Sequence, residues 1–351
     1  MIRVLIVDDS AFMRRAINRI YDEDPGIEVI GTARDGLEAV ELAERLEPDL
    51  ITLDIEMPKL DGLAALERIM KRCPTRVLML SSLTSEGSHA TLRALRLGAV
   101  DFLTKQHSRI SIGISELGNE LLAKTHALAG SPAKRPSIPT PVAGDGGKPR
   151  FRPGQFDLVC IGASTGGPPL LERILPALPA DFSAAIIVAQ HMPELFTRSI
   201  TQRLANLCAM PVHHAEDGMS VANRQIHIAP GGHHLHVEKL ALARYGIRIS
   251  DQPASAPFRP SVDCLLSSAA HSAGRRALGI VLTGIGEDGL QGGRVLFNAG
   301  GTLLAQDERS SVVYGMPRAV TVHGLSAASL SPDALIETLM TLARPCTRAA
   351  G

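Results

Sequence analysis

The sequence predicts an α/β fold class: two doubly wound parallel-sheet domains on one chain, joined by a linker. Three observations carry this. Short β-branched runs alternate with longer amphipathic segments, the signature of parallel strands covered by helices. The alternation occurs twice. Between the two sets lies 130–154, GSPAKRPSIPTPVAGDGGKPRFRPG, rich in proline, glycine and small polar residues and without helix or strand period. A length of 351 residues suits two domains.

In the first half the strand candidates are 3–7 (RVLIV), 28–32 (EVIGT), 50–54 (LITLD), 76–81 (RVLMLS) and 100–103 (VDFL), with helical stretches such as Leu37–Glu47 and Leu63–Cys73 between them. Five strands and about five helices make an N-terminal doubly wound, five-stranded parallel domain. In the second half, 158–163 (LVCIGA), 185–190 (AIIVAQ), 225–229 (QIHIA), 278–283 (LGIVLT) and 302–306 (TLLAQ) repeat the style. Residues 234–250 alternate around a turn and read as an inserted hairpin.

Composition narrows the function classes. Apolar residues make up 45%, enough for sizeable cores. Lys plus Arg equals Asp plus Glu at 36 each, so bulk charge offers no footing for nucleic acid or a membrane surface. Aromatic residues are 3%, too few for stacking platforms. The five cysteines are scattered, with no CxxC pair, which favours a reduced, cytoplasmic setting over a disulfide framework or zinc site. MIRVLIVDDS meets acid at Asp8 and reads as a buried strand, not a signal peptide, and no apolar run is long enough for membrane insertion.

Ligands gather at strand ends in open α/β sheets. Asp8 and Asp9 follow the first strand, Asp54 ends the third, Ser81 ends the fourth and Lys105 follows the fifth. Three converging carboxylates repel one another unless a cation or lysine compensates. A Mg2+ ion with waters and phosphate oxygens meets that need, and Asp54 is then placed to attack a phosphoryl donor. Any one pair alone reads as a helix start or turn former; all five positions at successive strand ends do not.

VDDSAFMRR, TLDIEMPKLDGL, LMLSSLT and DFLTK resemble the two-component response regulator receiver family, over roughly 1–125. The resemblance implies Asp54 as phospho-acceptor and Asp8, Asp9 and the Glu56 carbonyl around Mg2+. It also implies Ser81 as the switch hydroxyl, Phe102 as the switch aromatic, and a histidine kinase as phosphoryl donor. Gln106 stands where the family usually has proline after the lysine.

The second half opens on a strand, a Gly-rich turn and a helix. Gly162-Ala163-Ser164-Thr165-Gly166 fits G-x-S-x-G, which would expose the Ser164 hydroxyl near a helix N-terminus. The same turn could cradle a pyrophosphate or carry no chemistry at all. A dinucleotide site expects an acid ending the next strand; here that strand ends in Gln190-His191. An α/β-hydrolase order could use Asp217 and His323, neither of which ends a strong strand. The better set is Ser164, His191 and Asp288, each just past a strand. Glycines 284, 286 and 289 would supply the dihedrals that aim Asp288 inward.

IGASTGG, QHMP, LCAMPVHHAEDG, HIAPGG, FRPSVD, LTGIGEDG and VVYGMPRAV look like the chemotaxis protein-glutamate methylesterase family, over roughly 157–345. The resemblance implies a receiver domain (1–125), a flexible linker (126–155) and a catalytic serine hydrolase domain (156–348). It implies hydrolysis of glutamate methyl esters on methylated chemoreceptors, with release of methanol, deamidation of receptor glutamines, and no cofactor for hydrolysis. It also implies Ser164, His191 and Asp288 as the triad. Ile285 and Glu287 depart from the methionine and asparagine frequent in the family. His213, His214, His233, His234 and His236 lack compact ligand spacing and read as structural or surface residues. Joined on one chain, the halves suggest an unphosphorylated receiver that covers the Ser164 cleft until Asp54 is phosphorylated.

Overall fold

The computed structural model describes residues 1–105, 110–129, 149, 151–241 and 244–343, with only the backbone for 110–116 and 241. Gln106, most of the expected linker and Cys346 lie outside the described residues. The chain divides into two compact units, Met1–Ile138 and Pro139–Gly351.

The first unit has strands β1 (Ile2–Val7), β2 (Ile27–Ala33), β3 (Leu50–Asp54), β4 (Arg76–Ser82) and β5 (Asp101–Lys105). Its helices are α1 (Ala11–Asp22), α2 (Gly36–Leu46), α3 (Gly62–Arg72), α4 (Ser85–Leu97) and α5 (Ile110–Ala129). The strands are all parallel, in the order β2-β1-β3-β4-β5. All of β3 is buried, as a run covered by helices on both faces should be. Four helices start where a side-chain oxygen accepts a first-turn N–H: Ser10, Asp35, Asp61 and Thr84. Because Ser10 caps α1, Asp8 and Asp9 are not needed as its cap. Helix α5 continues to Ala129, past the boundary expected at 125.

The second unit opens with β6 (Leu158–Ala163), α6 (Gly167–Ile174), β7 (Ala185–Gln190), α7 (Glu194–Leu207), β8 (Val212–His214), β9 (Ser220–Val221) and β10 (Ile226–Ile228). The expected hairpin follows as β11 (His234–Ala241) and β12 (Arg244–Ser250), antiparallel, with β9 as a third strand. Then come α8 (Val262–Ala273), β13 (Ala277–Val281), α9 (Leu290–Asn298), β14 (Thr302–Gln306), α10 (Met316–Val322), β15 (Ala328–Leu330) and α11 (Pro332–Ala343). The main sheet is parallel, ordered β15-β14-β13-β6-β7-β10-β8. Leu235, Val237 and Ile247 of the small sheet share one core with Ile187 and with Leu265 of α8. Each such buried side chain stabilises the unit by roughly 1.5–3 kcal/mol.

Strand order reverses between β1 and β3 in the first sheet and between β6 and β13 in the second. In an open α/β sheet such a switch point leaves a crevice at the carboxyl ends of the strands. Among the described residues no helix is long and apolar enough to cross a membrane.

Candidate active site

At the first switch point the oxygens of Asp8, Asp9 and Asp54 lie within 4.8 Å of one another. Lys105 Nζ bridges two of them, 2.7 Å from Asp8 Oδ2 and 2.8 Å from Asp54 Oδ2. Burial pushes the Asp54 carboxyl up to about 6; Lys105 opposes this and the charges of Asp8 and Asp9 add to it. Burial disfavours the Lys105 ammonium, yet Asp54 and Asp8 outweigh that and hold its pKa above the ordinary lysine value. Three clustered carboxylates with one balancing ammonium form a donor set suited to a hard divalent cation. Among the described residues this is the one group of three or more His, Cys, Asp or Glu that could hold a metal ion.

The other expected receiver residues are placed differently. The Ser81 hydroxyl is turned into the start of α4: it accepts from Thr91 Oγ1 at 2.7 Å and lies 3.3 Å from the Gly87 carbonyl. Phe102 is 6% exposed, and its carbonyl accepts from Lys124 Nζ at 2.6 Å. The Glu56 side chain stands outside the carboxylate cluster and accepts from the Ser82 hydroxyl at 3.3 Å.

At the second switch point β6 lies between β13 and β7, so three strand ends meet. Ser164 directly follows β6. Its N–H donates to the Thr283 carbonyl at 3.0 Å, and its carbonyl accepts from Gln190 Nε2 at 3.0 Å. His191 directly follows β7, tied by its own N–H to the Ala163 carbonyl at 3.0 Å. The register of β6 and β7 thus places the backbones of Ser164 and His191 side by side, with no hydrogen bond between the Ser164 hydroxyl and the imidazole among the described residues. Pro168 sits in the first turn of α6, where a missing N–H costs nothing.

His191 Nε2 is 2.8 Å from Asp288 Oδ2, with the two side chains 7% and 5% exposed. Asp288 also accepts from the Ser261 hydroxyl at 3.0 Å, Val262 N at 2.7 Å and Asp263 N at 2.9 Å. Burial works against this carboxylate, but the hydrogen bond and charge of His191 and the N–H groups of Asp263 and Val262 outweigh it. They hold its pKa below the usual carboxylate range. The other imidazole nitrogen, Nδ1, is buried without a hydrogen-bond partner among the described residues.

The glycines near Asp288 need a correction. Gly286 and Gly289 have φ of 81° and 102°, as expected of residues that turn the loop. Gly284 does not; there a Cβ would fall 2.7 Å from the Ser164 Cβ and 2.3 Å from the Met316 sulfur, so close packing is the requirement. Two residues of the alternative order are engaged elsewhere: Asp217 accepts from Ile249 N at 2.8 Å and His323 contacts the Ala319 carbonyl at 2.8 Å. His214, His233 and His236 pair with Thr197, Asp251 and the Gln252 carbonyl. Ser261, Val262 and Asp263 belong to FRPSVD, but nothing in their local spacing marks them as partners of Asp288.

Residues 4–112 match the response regulator receiver domain, and 159–339 match the CheB methylesterase model. The second unit is similar to the crystal structure of the Thermotoga maritima CheB methylesterase catalytic domain, at 37% identity and TM-score 0.51, covering 53% of this chain and 98% of that one. The fold and the two switch-point sites therefore define a response regulator whose output unit is an α/β domain of the methylesterase type. Whole-length relatives extend the match. The protein-glutamate methylesterase/protein-glutamine glutaminase 1 of Oleidesulfovibrio alaskensis is 42% identical over 97% of this chain and 99% of its own length. The protein-glutamate methylesterase/protein-glutamine glutaminase of Pyrococcus horikoshii is 40% identical over 97% and 93%. The chain belongs to the CheB methylesterase family, with its receiver domain.

Proposed function

We propose that this chain is a phosphorylation-regulated protein-glutamate methylesterase and protein-glutamine glutaminase acting on chemoreceptors, with Ser164, His191 and Asp288 as its triad. The observation that carries the reading is the meeting of three strand ends at one switch point, with the His191–Asp288 contact at 2.8 Å beside Ser164. His191 Nδ1, the nitrogen not engaged by Asp288, takes the proton of the Ser164 hydroxyl as Oγ attacks the ester carbonyl. Negative charge develops next to the N-terminal turn of α6. The intermediate collapses, methanol leaves with the proton returned by His191, and a glutamyl ester remains on Ser164. Water, deprotonated by the same imidazole, then frees the glutamate. A glutamine side chain follows the same course and releases ammonia. Asp288 stays ionised and stabilises the imidazolium in both halves.

In the receiver portion, a Mg2+ ion bound by Asp8, Asp9, Asp54 and the Glu56 carbonyl would neutralise charge on an incoming phosphoryl group. Asp54 is the acceptor: its oxygen forms the bond to phosphorus as the bond to a kinase phosphohistidine breaks. Lys105 holds phosphoryl oxygens, and Ser81 leaves its α4 partners to join them, with Phe102 following. We place the receiver boundary after Ala129, since the expected one falls within α5, and the catalytic portion from Phe156. The setting is a cytoplasmic one.

Serine-directed labelling tests the reading. A fluorophosphonate should label the wild-type chain, and Ser164→Ala should abolish the label. Labelling that persists in a folded Ser164→Ala protein would remove Ser164 from the site.

A further inference from the structure

The sequence between Phe258 and Asp263 lies outside every strand of the main sheet, yet it touches β6 just before Ser164, His191 after β7, and Asp288 in the loop beyond β13. The Phe258 ring stacks on the His191 imidazole, with centroids 4.3 Å apart and planes 13° from parallel. Ser261 Oγ, Val262 N and Asp263 N donate to the Asp288 carboxylate, so Asp288 sits on the N-terminus of α8. The Val262 side chain packs where a Cβ on Gly162 would fall, 2.2 Å away, just before the Ser164 turn.

The contact also runs in the opposite direction. Asp263 Oδ1 accepts from Gly289 N at 2.9 Å and Gly292 N at 2.7 Å, the N–H of the N-cap residue and a first-turn N–H of α9. Helix α9 has no side-chain cap of its own. Asp288 therefore caps α8 while Asp263, in the first turn of α8, caps α9. The helices meet closely: a Cβ on Gly292 would lie 2.4 Å from the Asp263 carbonyl oxygen. This matters because Asp288 comes from a loop outside the sheet, turned by positive φ at Gly286 and Gly289, and these contacts tie it to α8.

We propose that the 258–263 segment is the positioning element of the site, with Phe258 fixing the plane of His191 and Asp263 fixing the loop that presents Asp288. The proposal rests on the triad reading. Asp263 and Phe258 are positioning residues: the Asp263 carboxylate acts through Gly289 and Gly292, and Phe258 acts through the imidazole. A reacting group displaced by about an ångström costs on the order of 100-fold in rate, so these contacts should be read in kcat and not in substrate binding.

The test is steady-state methanol release by the full-length chain from methyl-esterified receptor glutamates. Asp263→Ala should lower kcat about 10- to 100-fold with KM nearly unchanged. Asp263→Asn, whose amide oxygen can accept the same two N–H groups, should recover most of that loss. Phe258→Leu should lower kcat in the same way, with Phe258→Tyr restoring it, and this pair decides the matter if Asp263→Ala fails to fold. Wild-type kcat in folded Asp263→Ala and Phe258→Leu, or no recovery in Asp263→Asn and Phe258→Tyr, would overturn the proposal. Ser164→Ala assayed alongside separates the two failures. If it keeps full activity the triad reading falls; if it is inactive while Asp263→Ala and Phe258→Leu are unimpaired, only the positioning role falls.

Discussion

Asp288 holds His191 through Nε2, at 2.8 Å, and thereby leaves Nδ1 as the imidazole nitrogen with no partner among the described residues. In the proposed mechanism the carboxylate fixes the tautomer, with Nε2 carrying the proton and Nδ1 serving as the lone-pair base. Asp288→Asn would offer an amide N–H toward that edge of the ring and favour the wrong tautomer. It should lower kcat by about 10⁴-fold with little change in KM, and parallel kinetics of wild-type and Asp288→Asn proteins check this.

Ser164, His191 and Asp288 act as one unit in the proposed chemistry. Losses on removing such residues are far from additive. Ser164→Ala combined with His191→Ala should therefore be little worse than either alone. A double mutant whose loss equals the product of the single losses would mean that the two side chains work independently.

In the receiver, the cluster of Asp8, Asp9 and Asp54 is balanced by one ammonium, Lys105. An incoming phosphoryl group adds negative charge to a site already crowded with it. Phosphorylation by acetyl phosphate should therefore require a divalent cation and be lost in Asp54→Asn. Equal incorporation of label in excess chelator, or in that variant, would show that the pocket does not work this way.

His227 on β10 is 1% exposed, both its ring nitrogens lack hydrogen-bond partners among the described residues, and it lies beside His213, ring centroids 5.4 Å apart. Burial, with a smaller contribution from His213, pushes its pKa down to about 4. A depressed folded-state pKa gives stability that is fully present above the unfolded value of about 6.5 and is lost as pH falls toward 4. From pH 7 to pH 5 this one group should cost the catalytic unit about 2 kcal/mol. His227→Phe should flatten that part of the stability profile, as measured by urea unfolding at the two pH values. An unchanged slope in the variant would assign the acid sensitivity to other groups.

The proposed control by the receiver predicts a rate order. A fragment beginning before Phe151, whose ring packs edge-on against Phe156 at 5.1 Å, should hydrolyse substrate faster than the unphosphorylated full-length chain. Phosphorylation should close much of the gap. If receiver and substrate compete for the Ser164 cleft, a preference of about 1.4 kcal/mol for the covered state already holds activity down tenfold. A fragment no faster than the unphosphorylated chain would end the competition model.

The strand ends that carry both candidate sites were legible, because a parallel sheet places successive carboxyl ends along one edge and the strands announce themselves as apolar runs. Asp54, Lys105, Ser164 and His191 stand at or directly after such ends, whereas Asp288 lies in the loop beyond β13. Strands β8 and β15 were not legible: each has three residues, and Val212, His213 and His214 are only partly buried, which leaves no apolar run to detect. The partners of Asp288 were hidden for another reason. Ser261 and Asp263 lie 27 and 25 residues before it, and no periodicity reports a contact between two helix starts. The requirement at Gly284 is likewise a matter of neighbours brought from elsewhere in the chain, Ser164 and Met316.

The most direct measurement is methanol release from membranes carrying methyl-esterified receptor glutamates. The wild-type chain should release methanol catalytically, and a folded Ser164→Ala chain should release none above the background without protein. Methanol release by Ser164→Ala at the wild-type rate, or none by a folded, phosphorylated wild-type chain, would contradict the assignment of this site to glutamate methyl-ester hydrolysis.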